Sequence, residues 1–214
     1  MSKKDSAAAT RRTPPRRRPR RGSGAPWLLP VGVGVAVIVA FVVILVLYAR
    51  TGNERQTHAA AGATGQTIDG IQCQTAEQVV YHIHSHLAIF VNGQPGTVPM
   101  GIGIPNAQVE NTSIGPFVTG GSCFHWLHSH ATDGIIHVES PSQRQYTLGN
   151  YFDIWGEQLS PTRVGADTGT VIAYVNGERY TGDPREIPLT VHAVIQLDVG
   201  TDVAPRPYTF AQGL

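Results

Sequence analysis

The 214-residue sequence has few charged residues, 14% of the chain, and it has no lysine after residue 4. It contains no glycine-rich phosphate loop, no dinucleotide-binding fingerprint and no Ser-His-Asp order that stands out, so it predicts no nucleotide chemistry. Only two cysteines are present, which allows at most one intramolecular disulfide bond. Histidine, in contrast, is abundant, with nine residues.

Positive charge is concentrated at the N-terminus. Residues 1–21 hold nine of the sixteen Lys and Arg residues, whereas the region from residue 70 onward has five Arg and twelve acidic residues. The two regions are therefore separate parts whose charges should not be averaged. The Pro- and Arg-rich composition predicts that 1–26 is disordered. Nucleic-acid binding is not expected, because no aromatic residues are interleaved with the charges.

A long apolar run follows the basic tail. Residues 27–48 are 22 residues without a charge, with Trp27 and Tyr48 at the two ends. As a helix this run would rise about 33 Å, enough to cross a hydrocarbon core of about 30 Å. A cleaved signal peptide is the alternative, but its apolar region is usually about 7–15 residues long. The run therefore predicts a single transmembrane helix that acts as an uncleaved signal-anchor in the plasma membrane.

The charges on either side of this run predict its orientation. Nine basic residues precede it, and only Arg50 and Arg55 closely follow it. By the positive-inside rule, the tail is expected to be cytoplasmic and to lie against anionic lipid headgroups of the bilayer. Residues 49–69 are small and polar, which predicts a flexible linker. Residues 70–214 are then an extracytoplasmic domain.

The outer domain has the patterns of short strands. Side-chain character alternates strictly in 81–91, and Asn92-Gly93 then supplies a hairpin turn signal. Further strands are predicted in 124–130, 135–140, 170–180 and 188–200, and helices in 147–160 and, for a turn or two, in 75–80. The predicted fold class is mainly β, a β-rich α+β domain with one or two short helices, preceded by a single transmembrane helix.

Six histidines fall into two short segments, HIHSH at 82–86 and WLHSHATDGIIHVES at 126–140. Residues two apart on a strand lie about 6.6 Å apart on one face, so their imidazoles can converge on one ion. The first and third histidines of HIHSH would lie about 13 Å apart on a straight strand, too far to bind the same ion. One of the three would therefore hydrogen-bond to another ligand or bind a second ion. The predicted metal ligands are His82, His84, His86, His128, His130 and His137, with Glu139 and His192 as weaker candidates.

The donor set leaves the metal and the activity open. Several imidazoles suit copper or zinc, and imidazole with carboxylate also suits iron. The leading hypothesis is a copper or zinc protein for metal handling, sensing or delivery. The second is a metal-dependent hydrolase or oxidoreductase with an open coordination position and Glu139 as base. A metal-free adhesion or assembly module, a pH-responsive histidine patch and incidental histidines are further alternatives.

The two cysteines, Cys73 and Cys123, each lie just ahead of a histidine-bearing segment. Outside the membrane two cysteines favour a disulfide bond, which would tie the two segments together. The alternative is that Cys123 binds a soft ion such as Cu(I) beside His125.

The run CFHWLHSHATDGIIHVESP, followed by YTLGNYFDIWG, resembles an uncharacterised family of bacterial membrane-anchored or secreted proteins. Their pattern is an HxHxHL segment, then C-x-x-W-LH-T-H-x-x-x-G-I-I-H-x-E-x-P. The resemblance covers about 73–200, and the sequence departs from the pattern at Ser129, where Thr is common. It implies one coherent histidine-bearing domain and no particular reaction.

Overall fold

The computed structural model describes residues 37–46 and 65–214. Helix α1, at 37–46, is apolar, and its side chains are exposed. Within the described residues no helix is long and apolar enough to span a membrane. The predicted span 27–48 extends beyond the described residues at both ends. The predictions for 1–26 and 49–64 also lie outside them.

Residues 65–214 are mainly β, which confirms the predicted class for this part of the chain. The strands are β1 (Cys73–Gln74), β2 (Tyr81–Val91), β3 (Gln94–Pro95), β4 (Gln108–Thr112), β5 (Gly115–Gly120), β6 (Phe124–His125), β7 (Leu127–His128), β8 (Ile135–Ser140), β9 (Leu159–Ser160), β10 (Arg163–Val164), β11 (Asp167–Thr168), β12 (Val171–Val175), β13 (Glu178–Tyr180) and β14 (Val194–Val199). Helix α2 is Leu148–Trp155, and a 3-10 helix covers Pro184–Glu186.

One sheet organises this domain, with strand order β13-β12-β14-β2-β8-β7. The 11-residue strand β2 lies near its centre, parallel to β14 and antiparallel to β8. Its register with β8 places His84 opposite His137 and His82 opposite Glu139. On the far side of β8, the edge strand β7 places His128 opposite His137. Three neighbouring strands therefore present imidazole or carboxylate groups side by side.

The two faces of this sheet differ because side chains alternate along each strand. One face is apolar and forms the hydrophobic core together with α2. Its buried members include Ile83, Leu87, Leu127, Ile136, Val138, Leu148, Tyr151, Phe152, Ile195 and Leu197. The opposite face carries the histidines and, on β14, the buried Gln196 and Asp198. The chain after β14 lies on this polar face, since the backbone N–H groups of Val203 and Arg206 donate to Asp198 and Gln196.

Helix α2 shows how local sequence sets its ends. Thr147 caps the N-terminus by accepting from the Asn150 backbone N–H, while the Asn150 side chain accepts from the Thr147 N–H. This reciprocal pair satisfies two otherwise unpaired helix N–H groups. Gly156 ends the helix in the left-handed conformation at φ 80°. The helix is therefore shorter than the predicted 147–160.

Three other sequence predictions are corrected by the structure. The segment 124–130 is not one strand, because β6 pairs with β1 whereas β7 pairs with β8, and the chain changes partners at Trp126. The strand predicted in 188–200 begins only at Val194, because His192 adopts a left-handed conformation at φ 57°. The segment 75–80 forms bends and a turn instead of a helix.

The disulfide between Cys73 and Cys123 is confirmed, with an S–S distance of 2.04 Å. It joins the start of β1 to the residue before β6, and the Trp126 indole N–H donates to Gln74 across the same junction. Cys123 is therefore not a metal ligand. The disulfide fixes the segment that precedes β2 beside the second histidine segment.

Removing this disulfide should destabilise the domain. The Cys73→Ser/Cys123→Ser variant should lose roughly 4 kcal/mol of unfolding free energy, because the bond closes a loop of about 50 residues and restricts the unfolded chain. Urea unfolding of the oxidised parent and of the variant measures the difference. Reductant should destabilise the parent by a similar amount and leave the variant unchanged. A variant as stable as the oxidised parent would contradict this role.

Candidate metal centre

Two groups of side chains in the described residues are positioned to hold a metal ion. The first comprises His82, His84, His137 and Glu139, and the second comprises His128, His130, His137 and Glu139. Within each group one ligand atom per residue lies within 4.8 Å of every other. The two groups share His137 and Glu139, so they form one continuous centre of five imidazoles and one carboxylate.

In the first group the nitrogen atoms lie close together across β2 and β8. His82 Nε2 is 3.1 Å from His84 Nε2, and His84 Nε2 is 3.2 Å from His137 Nδ1. Two nitrogens bound to one tetrahedral ion at about 2.0–2.1 Å would be about 3.3 Å apart. The observed separations match those of two nitrogens that bind one ion, and also those of a hydrogen bond between two imidazole rings.

In the second group the backbone fixes which nitrogen faces the centre. His128 Nδ1 lies 2.7 Å from the His125 carbonyl, and His130 Nδ1 lies 2.6 Å from the Val118 carbonyl. Carbonyl oxygens only accept hydrogen bonds, so both Nδ1 atoms carry the proton and donate. In the neutral rings this leaves lone pairs on the two Nε2 atoms, which are 3.0 Å apart. This orientation of histidine by an outer hydrogen bond is typical of metal ligands.

Burial keeps three of these imidazoles neutral. Desolvation is the largest cause of the lowered pKa in each case, bringing His84 to about 4, His128 to about 3 and His137 to about 2. Neighbouring histidines add to the effect, led by His82 on His84, His137 on His128 and His130 on His137. Neutral imidazole is the form that binds metal ions. At neutral pH the three rings are therefore ready to act as ligands.

Glu139 lies between the two groups and is only 3% exposed. Its Oε1 is 3.1 Å from His82 Nε2 and 3.3 Å from His137 Nδ1. Its Oε2 is 3.9 Å from His128 Nε2 and has no hydrogen-bond partner among the described residues. An unpartnered carboxylate oxygen is costly to bury. A cation held by the surrounding imidazoles would satisfy it.

Three histidines of the domain lie outside both groups. The ring of His86, on the same face of β2, stacks on Tyr208 at 3.6 Å. His192 contacts the Leu214 carbonyl at 2.7 Å and stacks on Phe210. His125 is fully buried, with its two ring nitrogens against the carbonyls of Gly103 and Gln66. The structure thus brings together six of the eight predicted ligands, and His86 and His192 are not among them.

One residue at the centre, Glu77, was not predicted from the sequence. Its Oε1 lies 3.4 Å from His130 Nε2, and its side chain is 37% exposed. Burial is the first cause of its raised pKa, and the charge of Glu139 is the second. The available signal was its position four residues after Cys73, because the disulfide holds this segment beside the second histidine segment.

The centre is reached from solvent near its edges. The side chain of His82 is 38% exposed, similar to that of Glu77. A 250 Å³ pocket beside the first group is lined by His82, His84, His192 and Leu214, among others. Small solutes can therefore approach the first group, whereas His128 is fully buried.

The buried neutral histidines should make the metal-free protein sensitive to acid. In the unfolded chain they take up protons near pH 6.5, but the folded protein holds the pKa of His84 and His128 down to about 4 and about 3. Below pH 6.5 protons therefore bind the unfolded chain preferentially, and the unfolding free energy falls as the pH is lowered toward these values. Each should contribute a slope of up to about 1.4 kcal/mol per pH unit.

The measurement is urea unfolding in chelator between pH 7 and pH 5, with His128→Gln as the comparison. This variant should show a smaller slope than the parent, because one buried titrating group is missing while the carboxylates are unchanged. Parallel pH profiles for parent and variant would show that His128 is not held neutral by the fold.

Comparison with known proteins gives this centre no counterpart. No protein-family model, no curated protein and no solved structure matches the chain.

Proposed function

We propose that this protein is a transition-metal-binding protein whose histidine centre takes copper or zinc outside the cytoplasm, for metal handling or sensing. One observation carries the proposal. Five imidazoles and a buried carboxylate, from two distant stretches of the chain, direct their ligand atoms toward common points. Without a cation, nitrogen lone pairs 3.0–3.2 Å apart would repel or would require shared protons.

The donor atoms favour copper or zinc. Imidazole nitrogen suits Zn²⁺ and Cu²⁺, and both cysteines are occupied in the disulfide, so no thiolate is available to select Cu(I). Iron remains compatible with the imidazole and carboxylate set. The backbone carbonyls that hold His128 and His130 also limit ring rotation, which favours a preformed site.

The proposal includes a membrane anchor at 27–48, with the basic tail in the cytoplasm against anionic lipid headgroups. Three features support it: the uncharged 22-residue run, the excess of basic residues before it, and the disulfide of the following domain. Disulfides persist in oxidising compartments outside the cytoplasm. The described part of the run, α1, exposes its apolar side chains, as a lipid-facing helix would.

Metal binding should stabilise the protein through the residues that both groups share. Adding Zn²⁺ or Cu²⁺ to the detergent-purified full chain, at about 100 times Kd, should raise the unfolding free energy by about 2.7 kcal/mol. The His137→Ala/Glu139→Ala variant should show little or no rise, because it loses ligands of both groups. Thermal unfolding with and without metal measures the effect.

A matched control removes two histidines that lie outside both groups. In the His86→Gln/His192→Asn variant the metal-dependent rise should be retained, and Asn tolerates the left-handed backbone at 192. Circular dichroism checks that each variant is folded. No rise in the parent, or an equal rise in parent and His137→Ala/Glu139→Ala, would refute the proposed function.

The anchor makes a separate prediction. In a bacterial host the full chain should remain in the membrane pellet after an alkaline carbonate wash, and deletion of 27–48 should release it. An epitope tag at the C-terminus should be accessible in intact spheroplasts, and one at the N-terminus only after permeabilisation. A full chain that the wash extracts, or the reverse accessibility of the two tags, would contradict the anchor or its orientation.

A further inference from the structure

We propose that the centre is dinuclear, with two metal ions bridged by Glu139. This inference rests on the proposed metal-binding function and specifies how the two groups work together. A nitrogen lone pair binds one ion, whereas a carboxylate can bind two ions through its two oxygens. Glu139 belongs to both groups and lies between them.

The two oxygens of Glu139 are directed toward different histidines. Oε1 is 3.1 Å from His82, which belongs to the first group alone, and 3.3 Å from His137, which both groups share. Oε2 has His128 as its neighbour, at 3.9 Å, and in the part of the chain that the structure describes it has no hydrogen-bond partner, although the side chain is buried. One ion in the first group would leave Oε2 without a partner. A second ion, held by the second group, satisfies it.

A single ion cannot use all of these ligands. Ligand nitrogens about 2.0–2.1 Å from one ion lie at most about 4.2 Å from one another. The described residues give two overlapping groups, and neither contains both His82 and His128. A mononuclear centre would therefore leave at least one pair, His82 with His84 or His128 with His130, facing each other with no ion between them.

The division of ligands makes the two positions unequal. His137 Nδ1 lies 3.2 Å from His84 Nε2 and belongs with the first ion, which has three imidazoles and Oε1. The second ion has His128, His130 and Oε2, which leaves one coordination position open. The carboxylate of Glu77 lies next to His130 at the solvent-exposed edge. The open position takes water or a small anion, and Glu77 can accept a hydrogen bond from such a water.

Three protein ligands with an open position are the arrangement of catalytic metal sites, whereas four are typical of structural sites. Glu139 is itself among the ligand atoms, so the exposed carboxylate available for proton transfer at this position is that of Glu77. By ligand number, the first position is therefore complete, and the second is the one with room for an added ligand.

The test measures metal stoichiometry in the detergent-purified full chain loaded with Zn²⁺ or Cu²⁺ and freed of excess metal. Mass spectrometry of the metal should give two ions per chain. His82→Ala/His84→Ala and His128→Ala/His130→Ala should each retain one ion. The control His86→Gln/His192→Asn should retain two. Circular dichroism shows whether each variant is folded.

Two spectroscopic measurements on the parent remove the dependence on variants. Two Cu²⁺ ions about 3.5–4 Å apart should interact magnetically, giving a half-field transition in the electron paramagnetic resonance spectrum. Azide should shift the copper absorption spectrum by occupying the open position. The azide response should persist in His82→Ala/His84→Ala and vanish in His128→Ala/His130→Ala.

The outcomes separate the two proposals. One ion per parent chain, with no half-field transition, would overturn the dinuclear centre and leave the proposed metal binding intact. No bound metal would overturn both. Two ions with an azide response that survives in His128→Ala/His130→Ala would overturn the assignment of the open position.

Discussion

Buried imidazole nitrogens face one another on the polar side of the central sheet, and the other features of the centre follow from this arrangement. The register of β2, β8 and β7 places His84, His137 and His128 in one row across three strands. A pleated sheet holds such neighbours about 5 Å apart, so their rings cannot avoid contact. The backbone carbonyls of His125 and Val118 then turn two further nitrogens inward. The polar face thus carries groups that are positioned to bind a metal ion.

The two faces of the sheet therefore contribute differently to stability. The apolar face, with α2 packed against it, supplies the hydrophobic core. The polar face buries Glu139 and several neutral histidines, which cost free energy when no cation is present. The disulfide and the C-terminal segment, held by Gln196 and Asp198, stabilise the surroundings of the centre. Preorganised ligands of this kind lower the entropy lost on metal binding.

Sequence patterns were sufficient where a ligand's position follows from strand periodicity and a hairpin turn. The alternations in 81–91 and 135–140 predicted that His82 and His84 share one face of their strand and that His137 and Glu139 share one face of theirs, but the pairing of these two strands came from the structure. They could not separate His86, which also lies on that face but has Ile135 as its cross-strand neighbour and Tyr208 stacked on it.

Other features depended on contacts between distant segments. Glu77 reaches His130 only because the disulfide brings its segment there, and the local sequence suggested a helix. His192 ends in a left-handed turn before β14, which local alternation did not reveal. The predicted strand 124–130 is two short strands in the structure, because β6 pairs with β1 whereas β7 pairs with β8. A disulfide, a left-handed backbone turn and a change of partner strand decided these three outcomes, and local alternation encodes none of them.

X-ray absorption at the zinc edge of the Zn²⁺-loaded full chain tests the convergence of imidazoles most directly. The account predicts a first shell of nitrogen and oxygen atoms at about 2.0–2.1 Å, with outer-shell scattering from several imidazole rings per zinc. A first shell of water oxygens without imidazole scattering, or a shell containing sulfur, would contradict it.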